Sequence, residues 1–224
     1  MRAAPKTELV IFDCDGVLVD SEPLSIRVLI ETMRDLGLTL TEADCYQRFL
    51  GRSLSSLKTT LRDSYHRTIT DQQLAAMRER LYEVYRAELK PIDGIFPVLA
   101  ALGLPCCVAS SSLPDRIRIS LELTGLAHHF GSHVFSATMV DHGKPAPDLF
   151  LYAAAQMGAA PERCIVIEDS PAGIEAAHRA GMRAFAFVGG SHAAPAGLRA
   201  TIASLRPEAI FDRMDELPAL ISSN

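Results

Sequence analysis

Between residues 95 and 221 short apolar runs alternate with helix-length segments, and that rhythm leaves few architectures open. Cys106-Cys107-Val108-Ala109, His133 to Ser136, Cys164-Ile165-Val166-Ile167 and Arg183 to Val188 are too short for buried helices and suit strands covered on both faces. Helices are expected from Ile95 to about Leu102, Pro114 to Leu123, Pro147 to Met157 and Pro171 to Ala180, the last ended by Gly181. Ala209 to Phe211 reads as a short edge strand and Met214 to Ile221 as a final helix. Strand and helix in alternation build a parallel sheet. One further run of the same kind stands apart near the N-terminus, where Leu9-Val10-Ile11-Phe12 leads into Asp13-Cys14-Asp15-Gly16.

The seventy residues that separate this first run from the rest have a different character. Ile26, Leu29, Ile30, Met33 and Leu36, then Leu74, Met77, Leu81, Val84 and Tyr85, recur at helical spacing, and no strand-like run interrupts them. Ser21 with Pro23 just inside is a helix start. Gly37, Gly51-Arg52-Ser53 and Thr68-Ile69-Thr70-Asp71 punctuate the region into about four helices, with Ser53 and Thr70 as N-caps. Leu89 to Gly94, carrying Pro91, is a connector. The expected fold is α/β: a Rossmann-like parallel sheet core of residues 1–18 and 90–224 with helices on both faces, and a small helical cap of residues 19–89 inserted after the first strand.

Composition excludes several functions. A net charge of −5 offers no excess of Lys and Arg to neutralise a phosphate backbone, so no nucleic-acid partner is expected. No run approaches the length of a membrane span, and Met1-Arg2-Ala3-Ala4-Pro5 lacks a signal peptide's apolar stretch, so the expected location is cytoplasmic, with no membrane association. Cys14, Cys45, Cys106, Cys107 and Cys164 contain no CxxC pair and read as buried reduced thiols. Nothing implies an obligate protein partner.

The strands end in polar residues, and in open α/β sheets ligands bind outside those carboxyl ends. The first ends in Asp13 and Asp15, the second in Ser110-Ser111-Ser112 and the fourth in Glu168-Asp169-Ser170, while Gly143-Lys144-Pro145 lies between the third strand and its helix. Singly, each has a plain structural account: a turn, a helix cap, a solvated cation, a helix start. Together they gather four acids, hydroxyls and one Lys at one edge. Two acids as close as Asp13 and Asp15 repel unless a shared proton or a cation relieves them, and a divalent metal does so directly.

That set, in that order, resembles the haloacid dehalogenase-like hydrolase superfamily, in its branch with a helical cap after the first strand. DCDGVL (Asp13 to Leu18) resembles its first motif, Ser110 in CVAS its second, Lys144 in GKPAPD its third, and IEDSPAG (Ile167 to Gly173) its fourth. The resemblance implies a Mg²⁺-dependent phosphatase of a small phosphorylated metabolite, a sugar phosphate or sugar-acid phosphate. Asp13 would be the nucleophile that forms an aspartyl-phosphate. Asp15 would protonate the leaving alcohol and then deprotonate water. Ser110, Ser111 and Lys144 would bind the phosphoryl oxygens. The implied Mg²⁺ ligands are Asp13, the carbonyl of Asp15 and Asp169, with Glu168 on the metal or on one of its waters.

Asp15 argues against halide displacement, because the family's dehalogenases have no leaving alcohol to protonate and lack an acid there. A phosphosugar mutase of the β-phosphoglucomutase type is the first alternative, but Ser25 and Leu54 stand where that branch carries a cap histidine and arginine. A non-catalytic binding module is the second. Substrate choice should lie in the cap, with Arg52 in the loop Gly51-Arg52-Ser53 as the expected contact and Lys58 and Arg62, one helical turn apart, just beyond. Of the seven histidines, only His142 is expected near the site.

Overall fold

The computed structural model describes residues 6–49 and 54–222. Six parallel strands, β1 (Leu9–Phe12), β2 (Cys106–Ser110), β3 (Val134–Ser136), β4 (Cys164–Glu168), β5 (Arg183–Phe187) and β6 (Ala209–Phe211), lie in the order β3-β2-β1-β4-β5-β6. β1 is the topological switch point, flanked by β2 and β4, so its carboxyl end opens into the crevice where such sheets bind ligands.

Alternate residues of β1 serve opposite faces. Leu9 and Ile11 join a core with α8 (Asp148–Gln156), α9 (Pro171–Arg179) and α10 (Leu198–Ser204); Val10 and Phe12 join another with α5 (Ile95–Ala101), α6 (Pro114–Leu123), α7 (Ala127–Phe130) and α11 (Leu217–Ser222). Burial on both faces is why these strands read as continuous apolar runs. The helices α7 and α10 have no counterpart in the sequence reading.

The insert folds as α1 (Glu22–Asp35), α2 (Glu42–Phe49), α3 (Leu54–Tyr65) and α4 (Asp71–Glu88). Ile26, Met33, Tyr46, Phe49, Leu57 and Leu61 close around their own centre, and Ala196 of the sheet domain packs against them. Thr70 caps α4 in a reciprocal box with Gln73, as expected. Ser53 lies outside the described residues. Two strands of chain join insert and sheet: Asp20 N donates to Lys90 O at 3.0 Å and Ile92 N to Leu18 O at 2.9 Å. Among the described residues no helix is long and apolar enough to cross a membrane.

Candidate active site

The acids, serines and lysine singled out in the sequence meet at the carboxyl ends of β1, β2 and β4. Lys144, whose side chain is 3% exposed, donates to Asp13 Oδ1 at 2.6 Å, Glu168 Oε1 at 2.7 Å and the Ala109 carbonyl at 2.9 Å. One cation thus serves two buried anions, and burial depresses its proton affinity less than those anions raise it. Glu168 Oε2 accepts from the backbone N–H groups of Asp169 and Ser170 and from Ser170 Oγ. Both oxygens of Glu168 are therefore engaged in fixing Lys144 and the turn into α9. Ser170 in turn caps α9 by accepting from Gly173 N at 3.1 Å.

Asp15 is held from three sides. Ser21 Oγ donates to Oδ1 at 2.6 Å, Ser112 Oγ to Oδ2 at 2.6 Å, and Arg116 Nη2 to Oδ1 at 2.8 Å. Ser21 precedes α1 as expected, but its hydroxyl goes to Asp15 and makes no helix cap. Ser110, fully buried, accepts from Ser112 N at 3.1 Å, and Ser111 stands half-buried between them.

The environments of the two aspartates diverge. Burial pushes the Asp13 carboxyl well above the usual range; Lys144 opposes this, and Glu168, Asp169 and Asp15 reinforce it. Burial acts on Asp15 too, but the Arg116 charge and the Ser112 and Ser21 hydroxyls outweigh it and hold Asp15 below its ordinary value. Asp169 is raised by burial against the opposing His192. Glu22, at the start of α1, is pushed up to about 7 by burial and by the charge of Asp15.

Four acids, Asp13, Asp15, Glu168 and Asp169, face two permanent cations, Lys144 and Arg116. Burial raises Asp13 and Asp169, with their acidic neighbours adding to it, and hard carboxylate oxygens such as these suit Mg²⁺. Among the described residues no three His, Cys, Asp or Glu side chains form a metal cage.

Several residues escaped the sequence reading. Arg116 lies in the first turn of α6, just after the loop that carries Ser112, and nothing in the local pattern marks it as a site residue. His192 is completely buried with Nε2 2.9 Å from Asp169 Oδ2, although neither ring nitrogen makes a directed hydrogen bond. Its signal was the Gly189-Gly190 pair, because a Cβ at Gly190 would press on the His192 ring. His142, the histidine expected here, is instead 76% exposed and sits 3.2 Å from Asp148. In the insert, Lys58 pairs with Asp71 and Arg62 with Asp63. Arg52 lies outside the described residues, as does the side chain of Leu54.

The family model for haloacid dehalogenase-like hydrolases matches residues 7–181. The 6-phosphogluconate phosphatase of Escherichia coli K12 is 30% identical over 85% of this chain and 86% of its own length. A phosphorylated carbohydrates phosphatase of Thermotoga maritima is 30% identical over 94% of this chain and 99% of its own. Among solved structures, a HAD family hydrolase from Deinococcus radiodurans R1 with bound phosphate and sodium superposes with a TM-score of 0.79 at 30% identity, over 99% of this chain and 97% of that one.

Proposed function

This chain belongs to the haloacid dehalogenase-like hydrolase family and is a phosphoric monoester hydrolase, and from that premise we propose that it hydrolyses a phosphorylated carbohydrate, a sugar phosphate or sugar-acid phosphate, through Asp13. The observation that carries the reading is the Asp13 carboxylate at the mouth of the sheet's switch point with Lys144 Nζ 2.6 Å away. Relatives named for 6-phosphogluconate and for phosphorylated carbohydrates support the substrate class.

Asp13 attacks phosphorus and forms an aspartyl-phosphate while the alcohol leaves, which divides one difficult hydrolysis into two easier steps. Lys144 and Ser110 hold the equatorial oxygens and offset their charge. Asp15, ionised in the empty site, takes up a proton from solvent as substrate arrives, gives it to the leaving oxygen and then takes one from the attacking water. The dianionic phosphoryl group arriving beside Asp15 raises its proton affinity, which prepares it for the first of these tasks. Mg²⁺ held by Asp13, the Asp15 carbonyl and Asp169 would supply the positive charge that ionises Asp13 and neutralises the transferring group. Residues 19–89 act as the cap over this site, and Arg52 is its proposed carbohydrate contact.

The test is release of inorganic phosphate from a panel of phosphorylated carbohydrates with Mg²⁺ and with excess chelator. Wild-type protein should turn over only with the metal, and Asp169→Ala should resemble the chelated enzyme. Asp13→Asn should lose all turnover while folding normally. Hydrolysis by a well-folded Asp13→Asn protein would rule out the covalent route.

A further inference from the structure

Arg116 belongs to the sheet domain, on the first turn of α6, yet its contacts reach across to the insert. Nη2 lies 2.8 Å from Asp15 Oδ1 and 3.1 Å from Ser25 Oγ of α1. Ser25 Oγ is 3.1 Å from the Tyr85 hydroxyl of α4, and the guanidinium carbon stands 5.6 Å from the centroid of the same ring. The Arg116 and Asp15 side chains are 23% and 11% exposed, while Arg116 Nε is buried without a partner.

A partly buried ion pair with an unsatisfied donor is a poor way to stabilise a fold. It is an effective way to fix a carboxylate: Arg116 and Ser21 meet Oδ1 while Ser112 meets Oδ2, which leaves the Asp15 plane no freedom to turn. We propose that Arg116 is the positioning residue for Asp15. It sets the carboxyl group in the orientation from which, once an arriving phosphoryl group has raised its proton affinity against the Arg116 charge, it protonates the leaving oxygen, and through Ser25 and Tyr85 it makes that orientation depend on the seating of α1 and α4. The inference rests on Asp15 being the proton donor.

A general acid matters most when the leaving group is basic. The informative quantity is therefore kcat/KM, which covers steps up to leaving-group departure, measured on an alkyl substrate such as glycerol 3-phosphate and on 2,4-dinitrophenyl phosphate, whose phenolate leaves without a proton. Arg116→Gln should lose about 10- to 100-fold on the alkyl ester and less than about 3-fold on the aryl ester, with Arg116→Lys between the two. In an Asp15→Asn background Arg116→Gln should cost the alkyl ester nothing further.

Equal losses on both esters in a folded variant would make Arg116 a structural strut and overturn the inference. So would an alkyl loss that persists in the Asp15→Asn background, which would mean direct contact with substrate. If Arg116→Gln fails to fold, Arg116→Lys, which keeps the charge but not the fork, carries the same comparison. An Asp15→Asn enzyme that spares the alkyl ester refutes the acid assignment itself. An Asp15→Asn enzyme that shows the leaving-group signature while the Arg116 variants do not refutes the positioning role alone.

Discussion

Asp13 and Glu22 carry the clearest cost of assembling this site, because both are acids whose charged forms the fold disfavours. A group raised in the folded state contributes stability that is present below its unfolded pKa and is lost as pH rises through the folded value. For Glu22 the window runs from about 4.5 to about 7. In excess chelator the melting temperature of the wild type should fall across that window more steeply than that of Glu22→Gln, the difference amounting to about 3 kcal/mol at most. Parallel curves for the two proteins would show that Glu22 titrates normally. Asp13→Asn removes a raised acid while leaving Lys144 its Glu168 partner. In chelator at pH 8 it should melt about 2–4 °C above the wild type, a gain of about 1 kcal/mol, although it is inactive.

At the scale of elements, the turn from β4 into α9 shows how closely backbone and site are fitted. Gly173 lies in the first turn of α9, where a Cβ would collide with the Glu168 carboxylate. Glu168 cannot yield, because Lys144, two backbone N–H groups and the Ser170 hydroxyl hold it. Gly173→Ala should therefore cost about 2–4 kcal/mol and at least about 100-fold in kcat, measured by thermal melting and phosphate release. Gly181, at φ +71° with open space around it, is the control. Gly181→Ala meets only backbone strain, about 1 kcal/mol, and should keep full activity. Similar outcomes for the two would show that the collision at Gly173 is relieved by movement.

The arrangement of the whole molecule bears on hydrolysis against mutation of a phosphosugar. A mutase must keep water from the aspartyl-phosphate while its substrate turns around, which needs a cap that grips both ends. Here the insert presents Ser25 where the mutase branch places a histidine, and that hydroxyl is engaged with Arg116, Tyr85 and the Ser21 carbonyl. It has no free base to offer. With β-glucose 1-phosphate, Mg²⁺ and a trace of the 1,6-bisphosphate, inorganic phosphate should form and glucose 6-phosphate should not accumulate. Faster appearance of glucose 6-phosphate than of inorganic phosphate would reverse the assignment.

Some of this was legible in the chain because its cause is local. Strands buried in a parallel sheet are continuous apolar runs, so all six were readable to within a residue or so, as was the helical insert with its cap at Thr70. Asp13, Asp15, Ser110, Lys144, Glu168 and Asp169 stood out because parallel strands deliver their ends to one edge. Short helices are different: α7 and α10, of 4 and 7 residues, draw their stability from packing, which local pattern does not encode. The strand order belongs to tertiary structure too, as does the use made of each hydroxyl and cation around Asp15. Arg116 meets Asp15 across 101 residues, and His192 reaches Asp169 only because the loop after β5 folds back over Gly16. Such contacts depend on where the sheet places distant segments, and a side chain in a helix or loop carries no mark of the partner it will find.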